Sequence, residues 1–139
     1  MSSILSEAKL KKLPRPIRKE PIITPKIMHF GPGAFFRSFV ASLIDGVNQK
    51  DVENWGIIAV SLHSEDSFNK LAGQDFVFNA LSMSSTKKRV RKISSISDFM
   101  VAKKDGQSVL DALLDEKIEI VSLTITEKGY HYNSDKKEL

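Results

Sequence analysis

The stretch Ile27-Met28-His29-Phe30-Gly31-Pro32-Gly33-Ala34-Phe35-Phe36-Arg37 decides how this chain folds. A short apolar run ends abruptly at two glycines. Beyond them Phe35, Phe39, Leu43 and, nearly in line, Val47 recur at helical spacing, with Phe36, Val40 and Ile44 beside them. The pattern predicts a strand from Lys26, a tight glycine turn, and one helix over Ala34 to Val47 whose apolar stripe packs on a sheet. Trp55 to Leu62 is almost wholly apolar, as in a parallel strand buried on both faces. Strand, turn, helix and strand in that order make a βαβ unit.

The remaining segments extend the same alternation. Ser64 is placed as an N-cap, with Glu65 and Asp66 at the positive end of a helix running from about Glu65 to Ala72. Phe76 to Leu81 and Arg89 to Ile96 flank the polar Met83-Ser84-Ser85-Thr86 and predict a β-ribbon, its second arm carrying Lys87, Lys88, Arg89, Arg91 and Lys92. After Ser108, Val109, Leu110, Leu113 and Leu114 form another helical stripe, and Ile118 to Thr126 reads as a further buried strand.

With 139 residues, 41% of them hydrophobic, the chain suffices for one globular domain or part of one. There is no run of eighteen apolar residues, and MSSILSEAKLKKLPRP lacks a secretory apolar core, so a soluble, cytoplasmic protein without a membrane partner is expected. The absence of cysteine excludes disulfides, a thiolate nucleophile and thiolate metal sites. His29, His63 and His131 show no ligand spacing, and no metal is expected. The net charge is +4, but residues 1–30 hold seven basic and two acidic side chains, leaving fourteen basic and fifteen acidic in the rest. The basicity thus belongs to an arm, residues 1–25, that Pro14, Pro16, Pro21 and Pro25 keep from being a continuous helix. It reads as an extended lead-in, poorly ordered at its start, to a domain over residues 26–139. The run KKRVRK alternates with Val90 on what reads as an exposed ribbon edge, a solvated face that discourages edge pairing. No aromatic platform accompanies it, and no nucleic-acid partner is expected.

Two places could carry chemistry. A dinucleotide's pyrophosphate needs close backbone approach and free N–H groups at a helix N-terminus, and Phe30, Gly31, Pro32, Gly33, Ala34, Phe35, Phe36 and Arg37 supply such a turn. Pro32 has no N–H, so the donors are expected from Gly33 onward, and Arg37 offers a charge to a phosphate oxygen. Phe36 replaces the third glycine of G-x-G-x-x-G, and a tight turn without a ligand is the alternative reading. The second place is Thr126-Glu127-Lys128-Gly129-Tyr130, just past the carboxyl end of the last expected strand, the edge at which open α/β sheets bind ligands; the alternative is a surface turn closed by Gly129. The acid expected about 20 residues after the glycines has no clear counterpart. Glu53 precedes the second strand, Glu65 and Asp66 are accounted for as helix-start charges, and His63 is nearest the tip. The lack of Arg at residues 61–69 favours NAD over NADP.

These segments bear a family resemblance. IMHFGPGAFFRS resembles the first strand and cofactor turn of the mannitol dehydrogenase family, which includes mannitol 2-dehydrogenase and fructuronate reductase and carries G-x-G-x-F-H-R there. NWGIIAVSL follows, AGQDFVF resembles the family's A-x-Q-D-x-x-Y/F, and IVSLTITEKGYH is close to I-V-S-L-T-x-T-E-x-G-Y, all in family order from about Ile27 to Leu139. Phe36 departs from the pattern where the family usually has His, as does Phe39 where it often has His or another polar residue.

The resemblance implies an α/β fold, a partial Rossmann-type parallel sheet with flanking helices and a β-ribbon insertion. It implies metal-free hydride transfer between NAD and a polyol or ketose, such as mannitol and fructose or a hexuronate, with a lysine as general base. In the family that lysine and its Asn and His partners lie in a mainly helical C-terminal domain, beyond residue 139 of this sequence. The chain is therefore expected to be the N-terminal cofactor-binding part, inactive alone, with Glu127 and Lys128 near the nicotinamide end and a complementary C-terminal catalytic domain as partner. The alternative is a non-catalytic remnant or split-gene subunit that binds nucleotide weakly or acts only with a complementary chain. A half sheet with an open strand edge and uncovered apolar helix faces favours such association.

Overall fold

Two sheets share the chain, and the computed structural model describes them through residues 3–4, 13–50 and 54–125. In chain order the elements are β1 (Ser3–Ile4), β2 (Pro25–Phe30), α1 (Ala34–Ser38), α2 (Val40–Asn48), β3 (Gly56–Ser61), α3 (Asp66–Ala72), β4 (Phe78–Met83), β5 (Lys88–Ile93), β6 (Ile96–Val101), α4 (Gly106–Leu113) and β7 (Ile120–Leu123). Four strands form a parallel sheet in the order β6-β3-β2-β7, and β1, β5 and β4 form an antiparallel one. The chain lays β3 and β6 to one side of β2, then crosses back to place β7 on its other side. That reversal makes the carboxyl ends of β2 and β7 the switch point of the sheet, where open α/β folds take ligands.

Both faces of the parallel sheet are covered, which is why β3 is buried from Gly56 through Val60 as its sequence predicts. On one face Ile27, Ile57 and Ala59 meet Phe36 and Ala41 from the first two helices, with Leu71, Phe78, Ile93 and Phe99 completing the cluster. On the other, Met28, Ile58 and Val60 meet Val109 of α4, flanked by Phe30, Met100, Ala112 and Leu113. Burying one such side chain fully is worth about 1.5–3 kcal/mol, so the double coverage of β3 and β2 dominates the stability.

The AGQDFVF segment makes a turn in which Asp75 and Phe76 both take positive φ, 51° and 59°. It is held from three sides. The Phe76 N–H donates to the Leu71 carbonyl at 3.0 Å, Phe76 contacts the rings of Phe68 and Phe99, and Arg18 donates to the Asp75 carbonyl at 2.9 Å. Arg18 also donates to the carbonyls of Ser94 and Ile96, and Glu20 pairs with Lys92 at 2.6 Å. Residues 13–24 contain no helix or strand and are clamped to the domain from Arg18 onward, while Ser3–Ile4 of the same arm pair with β5.

Several expectations are corrected. The single helix over Ala34 to Val47 is two, broken at Phe39 (φ −109°, ψ −75°) where the Ser38 hydroxyl donates back to the Ala34 carbonyl at 2.8 Å, a bond that bends helices. Of the apolar stripe expected on the sheet, the row Phe35, Phe39, Leu43 and Val47 is exposed at 61, 53, 57 and 38%. The adjoining row of Phe36, Val40 and Ile44, with Ala41, packs instead. The ribbon's second arm does not reach Ile96: Asp45, buried in α2, accepts from the Ser94 N–H at 2.7 Å, and the Ser95 hydroxyl donates to the Ala41 carbonyl. The chain turns there into β6, a parallel strand not distinguished from the ribbon by its sequence pattern. β5 is central rather than an exposed edge, and two of its basic residues are engaged, Lys92 with Glu20 and Arg91 with the Ser42 carbonyl.

The two later helices are present where expected and differ only at their N-terminal ends. α3 begins one residue late, the Ser64 hydroxyl accepting from the Asp66 N–H, and α4 is capped by Asp105, which accepts from the Ser108 N–H at 2.9 Å. Leu110 and Leu114 of the expected stripe are exposed. β7 is an edge among the described residues, and Ile120, Val121 and Leu123 are exposed rather than buried.

Gly56 is the tightest point of this packing. A Cβ there would stand 2.6 Å from the carbonyl oxygens of Ile23 and Thr24 and 2.4 Å from the Ser97 hydroxyl, whereas one on Gly46, inside α2, would meet only the Arg91 guanidinium at 3.7 Å. Gly56→Ala is expected to lower unfolding free energy by about 2 kcal/mol, within the range for overpacking. Gly46→Ala should be neutral or stabilising by up to about 1 kcal/mol, because glycine is a poor helix former. Urea denaturation of both variants checks the contrast.

Candidate functional site

At the end of β2 the backbone is tied to both neighbouring strands. The Gly31 N–H donates to the Val60 carbonyl at 3.0 Å, and the Thr124 N–H donates to the Phe30 carbonyl at 2.9 Å. Gly31 takes φ +87°, and a Cβ on it would stand 3.0 Å from the Thr124 carbonyl oxygen, so both conformation and space call for glycine. The Gly33 N–H then donates to the Gly31 carbonyl at 2.8 Å, a γ-turn around Pro32. This corrects the expected donor set, since the Gly33 N–H is already used. The first N–H groups of α1, from Ala34, Phe35 and Phe36, have no acceptor within the helix, and no side chain caps it. Gly33 itself is exposed, with nothing within 4 Å of where a Cβ would be.

Arg37 faces back into this turn. Its Nη1 donates to the Pro32 carbonyl at 2.8 Å and to the Ser67 hydroxyl at 3.0 Å, bracing the glycine turn against α3. Partial burial pulls its pKa down, yet a guanidinium remains charged at any ordinary pH. Expected as a phosphate clamp, Arg37 thus holds the shape of the turn and leaves a positive charge beside it. Phe36 is fully buried and anchors α1 from below.

His29, a lone histidine without ligand spacing in the sequence, sits directly under the turn. His29 is 2% exposed; its Nδ1 lies 2.9 Å from the Ser122 hydroxyl and its Nε2 3.1 Å from the Thr124 hydroxyl. Its ring stacks on Phe36 at a centroid distance of 3.7 Å and an interplanar angle of 8°. Burial pushes the imidazole pKa down, against a smaller upward pull from the Gly31 carbonyl. Only the β2–β7 register, which sets His29 opposite Ser122, brings these groups together, and no local spacing announces it.

Elsewhere along this edge, the Ser61 hydroxyl donates to the Ser64 carbonyl at the tip of β3, Glu65 pairs with Lys104 at 2.6 Å, and His63 is exposed. A cavity of about 190 Å³ near the end of β6 is lined by Phe68, Met100, Val101, Lys104, Asp105 and Ser108. A larger open cleft of about 1810 Å³ runs between the 20–26 segment, α2 and the ribbon and does not include the glycine turn. Its size reflects unfilled surface, and the backbone donors are at the turn. Thr126, Glu127, Lys128, Gly129 and Tyr130 lie outside the described residues. Among the described residues no three His, Asp or Glu side chains are placed to share a metal ion, and no helix is long and apolar enough to cross a membrane.

Residues 25–139 match the model of the mannitol dehydrogenase Rossmann domain. Over 94% of its length the chain is 34% identical to 28% of the polyol:NADP oxidoreductase of Gluconobacter oxydans. Over 88% it is 33% identical to 26% of a mannitol 2-dehydrogenase of Aspergillus niger. The ternary complex of Pseudomonas fluorescens mannitol 2-dehydrogenase with NAD and D-mannitol superposes on 97% of the chain with a TM-score of 0.73 and 32% identity, and 29% of that structure is covered. The chain thus spans less than a third of each of these relatives.

The buried imidazole makes stability depend on pH. Because burial lowers the folded pKa of His29 below its unfolded value of about 6.5, the unfolded state takes up the proton first as pH falls. Stability is then full above about pH 6.5 and declines as pH drops toward the folded pKa. Urea denaturation between pH 8 and 5 should show this decline in the wild type and a flatter profile in His29→Phe. Equal slopes would assign the dependence to other groups.

Proposed function

The chain belongs to the mannitol dehydrogenase family, and on that premise we propose that it is the NAD-binding portion of an oxidoreductase moving hydride between NAD and a polyol or its ketose. The substrate class proposed is mannitol and fructose or a hexuronate, and the setting cytoplasmic polyol metabolism. The observation that carries the reading is the switch point at the carboxyl ends of β2 and β7, where the Phe30–Gly31 backbone is tied to both neighbouring strands and Gly33 stands open. There the segment Phe30 to Arg37 would hold the pyrophosphate: the open face of Gly33 admits it to the backbone, the free N–H groups of Ala34 and Phe35 donate to it, and Arg37 adds positive charge while fixing the turn. When bound, NAD supplies the hydride acceptor. The Pseudomonas fluorescens relative, solved with NAD and D-mannitol, supports both ligands.

Glu127 and Lys128 are proposed near the nicotinamide end, and the general base and substrate pocket are proposed on a complementary C-terminal domain. The exposed side chains of β7 and of the Phe35–Phe39–Leu43–Val47 row favour action together with such a domain or chain. The Gluconobacter oxydans relative is named for NADP, so both nucleotides belong in the test.

Calorimetric titration should show NAD binding, and Gly33→Val should weaken it at least about tenfold, roughly 1.4 kcal/mol, by filling the space the pyrophosphate needs. Its stability should be nearly unchanged, because the site is open in the folded chain. Equal affinity in both forms would rule out the turn as the phosphate site. The 139-residue chain alone should form no NADH from mannitol at alkaline pH. Steady turnover abolished by Lys128→Ala would place the base on this chain instead.

A further inference from the structure

We infer, resting on the cofactor reading above, that His29 is a positioning residue of the crevice: its neutral imidazole, bridging Ser122 and Thr124 and stacked on Phe36, sets the spacing between the end of β7 and the glycine turn, so that the nucleotide binds the form with the ring unprotonated.

Thr124 is the link. Its hydroxyl meets the His29 ring, its N–H donates to the Phe30 carbonyl, and its carbonyl oxygen is the atom that crowds Gly31. The opposite contact of the ring is Phe36, whose N–H has no acceptor within α1. One side chain thus touches both walls of the crevice. A neutral imidazole has one donor and one acceptor nitrogen, which matches two hydroxyls when one accepts from the ring and the other donates to it. Protonation makes both nitrogens donors, so the donating hydroxyl must turn round and give up its bond. It also places a positive charge in a buried site where, among the described residues, no carboxylate answers it. β7 and the residue after it present the hydroxyls of Ser122 and Thr124, the turn presents the Gly31 carbonyl, and α1 presents the Phe36 ring. The nearest cation along α1, Arg37, is turned to Pro32 and Ser67. An uncompensated buried charge is costly enough to shift the groups around it.

The test is a pH titration of the chain by heteronuclear NMR, following the His29 ring nitrogens and the backbone amides of Gly31, Ala34 and Thr124 from pH 8 to 5. It is run with and without NAD, beside calorimetric Kd values. A single neutral tautomer is expected at pH 8, with the three amides shifting at the ring's own midpoint. NAD should move that midpoint to lower pH, and Kd should rise about fivefold or more across the ring's titration. His29→Gln, which keeps a donor and an acceptor, should bind NAD more tightly than His29→Phe, which keeps only the stacking, and both should lose the pH dependence. A packing role alone predicts the reverse order. Amides that stay still while the ring titrates, or a Kd flat in pH, would overturn the inference without touching the wild-type chain's folding. NAD failing to bind at every pH would instead sink the cofactor reading and the nucleotide linkage with it, and the amide shifts would still decide whether ring and crevice are coupled.

Discussion

Two backbone hydrogen bonds hold the rest of this structure in place: Gly31 N–H to the Val60 carbonyl and Thr124 N–H to the Phe30 carbonyl. They join the carboxyl ends of three parallel strands at the point where the chain must leave the sheet. A strand end that bonds on both sides cannot also curve gently into a helix, so the backbone turns within one residue, at positive φ, with the Thr124 carbonyl against it. Only glycine meets that demand without strain. From it follow the direction in which α1 leaves, the burial of Phe36 on His29, and the placement of free N–H groups at the mouth of the crevice.

The elements legible in the sequence are those whose pattern has a single physical solution. A run such as Gly56 to Val60 has no polar face to turn outward, so a strand covered on both sides was the one economical reading, and the structure has it. A strand ending in Gly-Pro-Gly likewise had to turn. The helix after the turn offered two adjacent apolar rows, and periodicity alone does not say which faces the sheet. The choice is made by the break at Phe39 and by the small Ala41, which lets α2 approach closely. β6 escaped notice because Ser97 and Asp98 interrupt its apolar run, while the feature that separates it from the ribbon, Asp45 gripping Ser94, links residues 49 positions apart.

The site divides in the same way. Its local part, the glycines and the helix start, could be read from spacing. Its non-local part could not: Ser122 and Thr124 reach His29 across 93 and 95 residues, through a register that exists only once β7 has crossed back beside β2. The bracing of the turn by Arg37 and Ser67 depends in turn on where α3 docks. Residue types flagged for chemistry were thus present in the sequence, but whether each binds, braces or fills was set by topology.

The two glycines of the turn illustrate that separation most sharply. Gly31 is glycine for reasons internal to the fold, its φ and the crowding by Thr124, and the chain would need it with no ligand at all. Gly33 has ordinary φ, at −69°, and open space where a side chain could stand, so nothing among the described residues asks for glycine there. An open position at the switch point of a parallel sheet, beside helix N–H groups with no acceptor in their own helix and a half-buried guanidinium, fits the pyrophosphate proposed to approach it from outside. On the proposed function, the same turn carries a structural requirement at one glycine and a recognition requirement at the other, two residues apart.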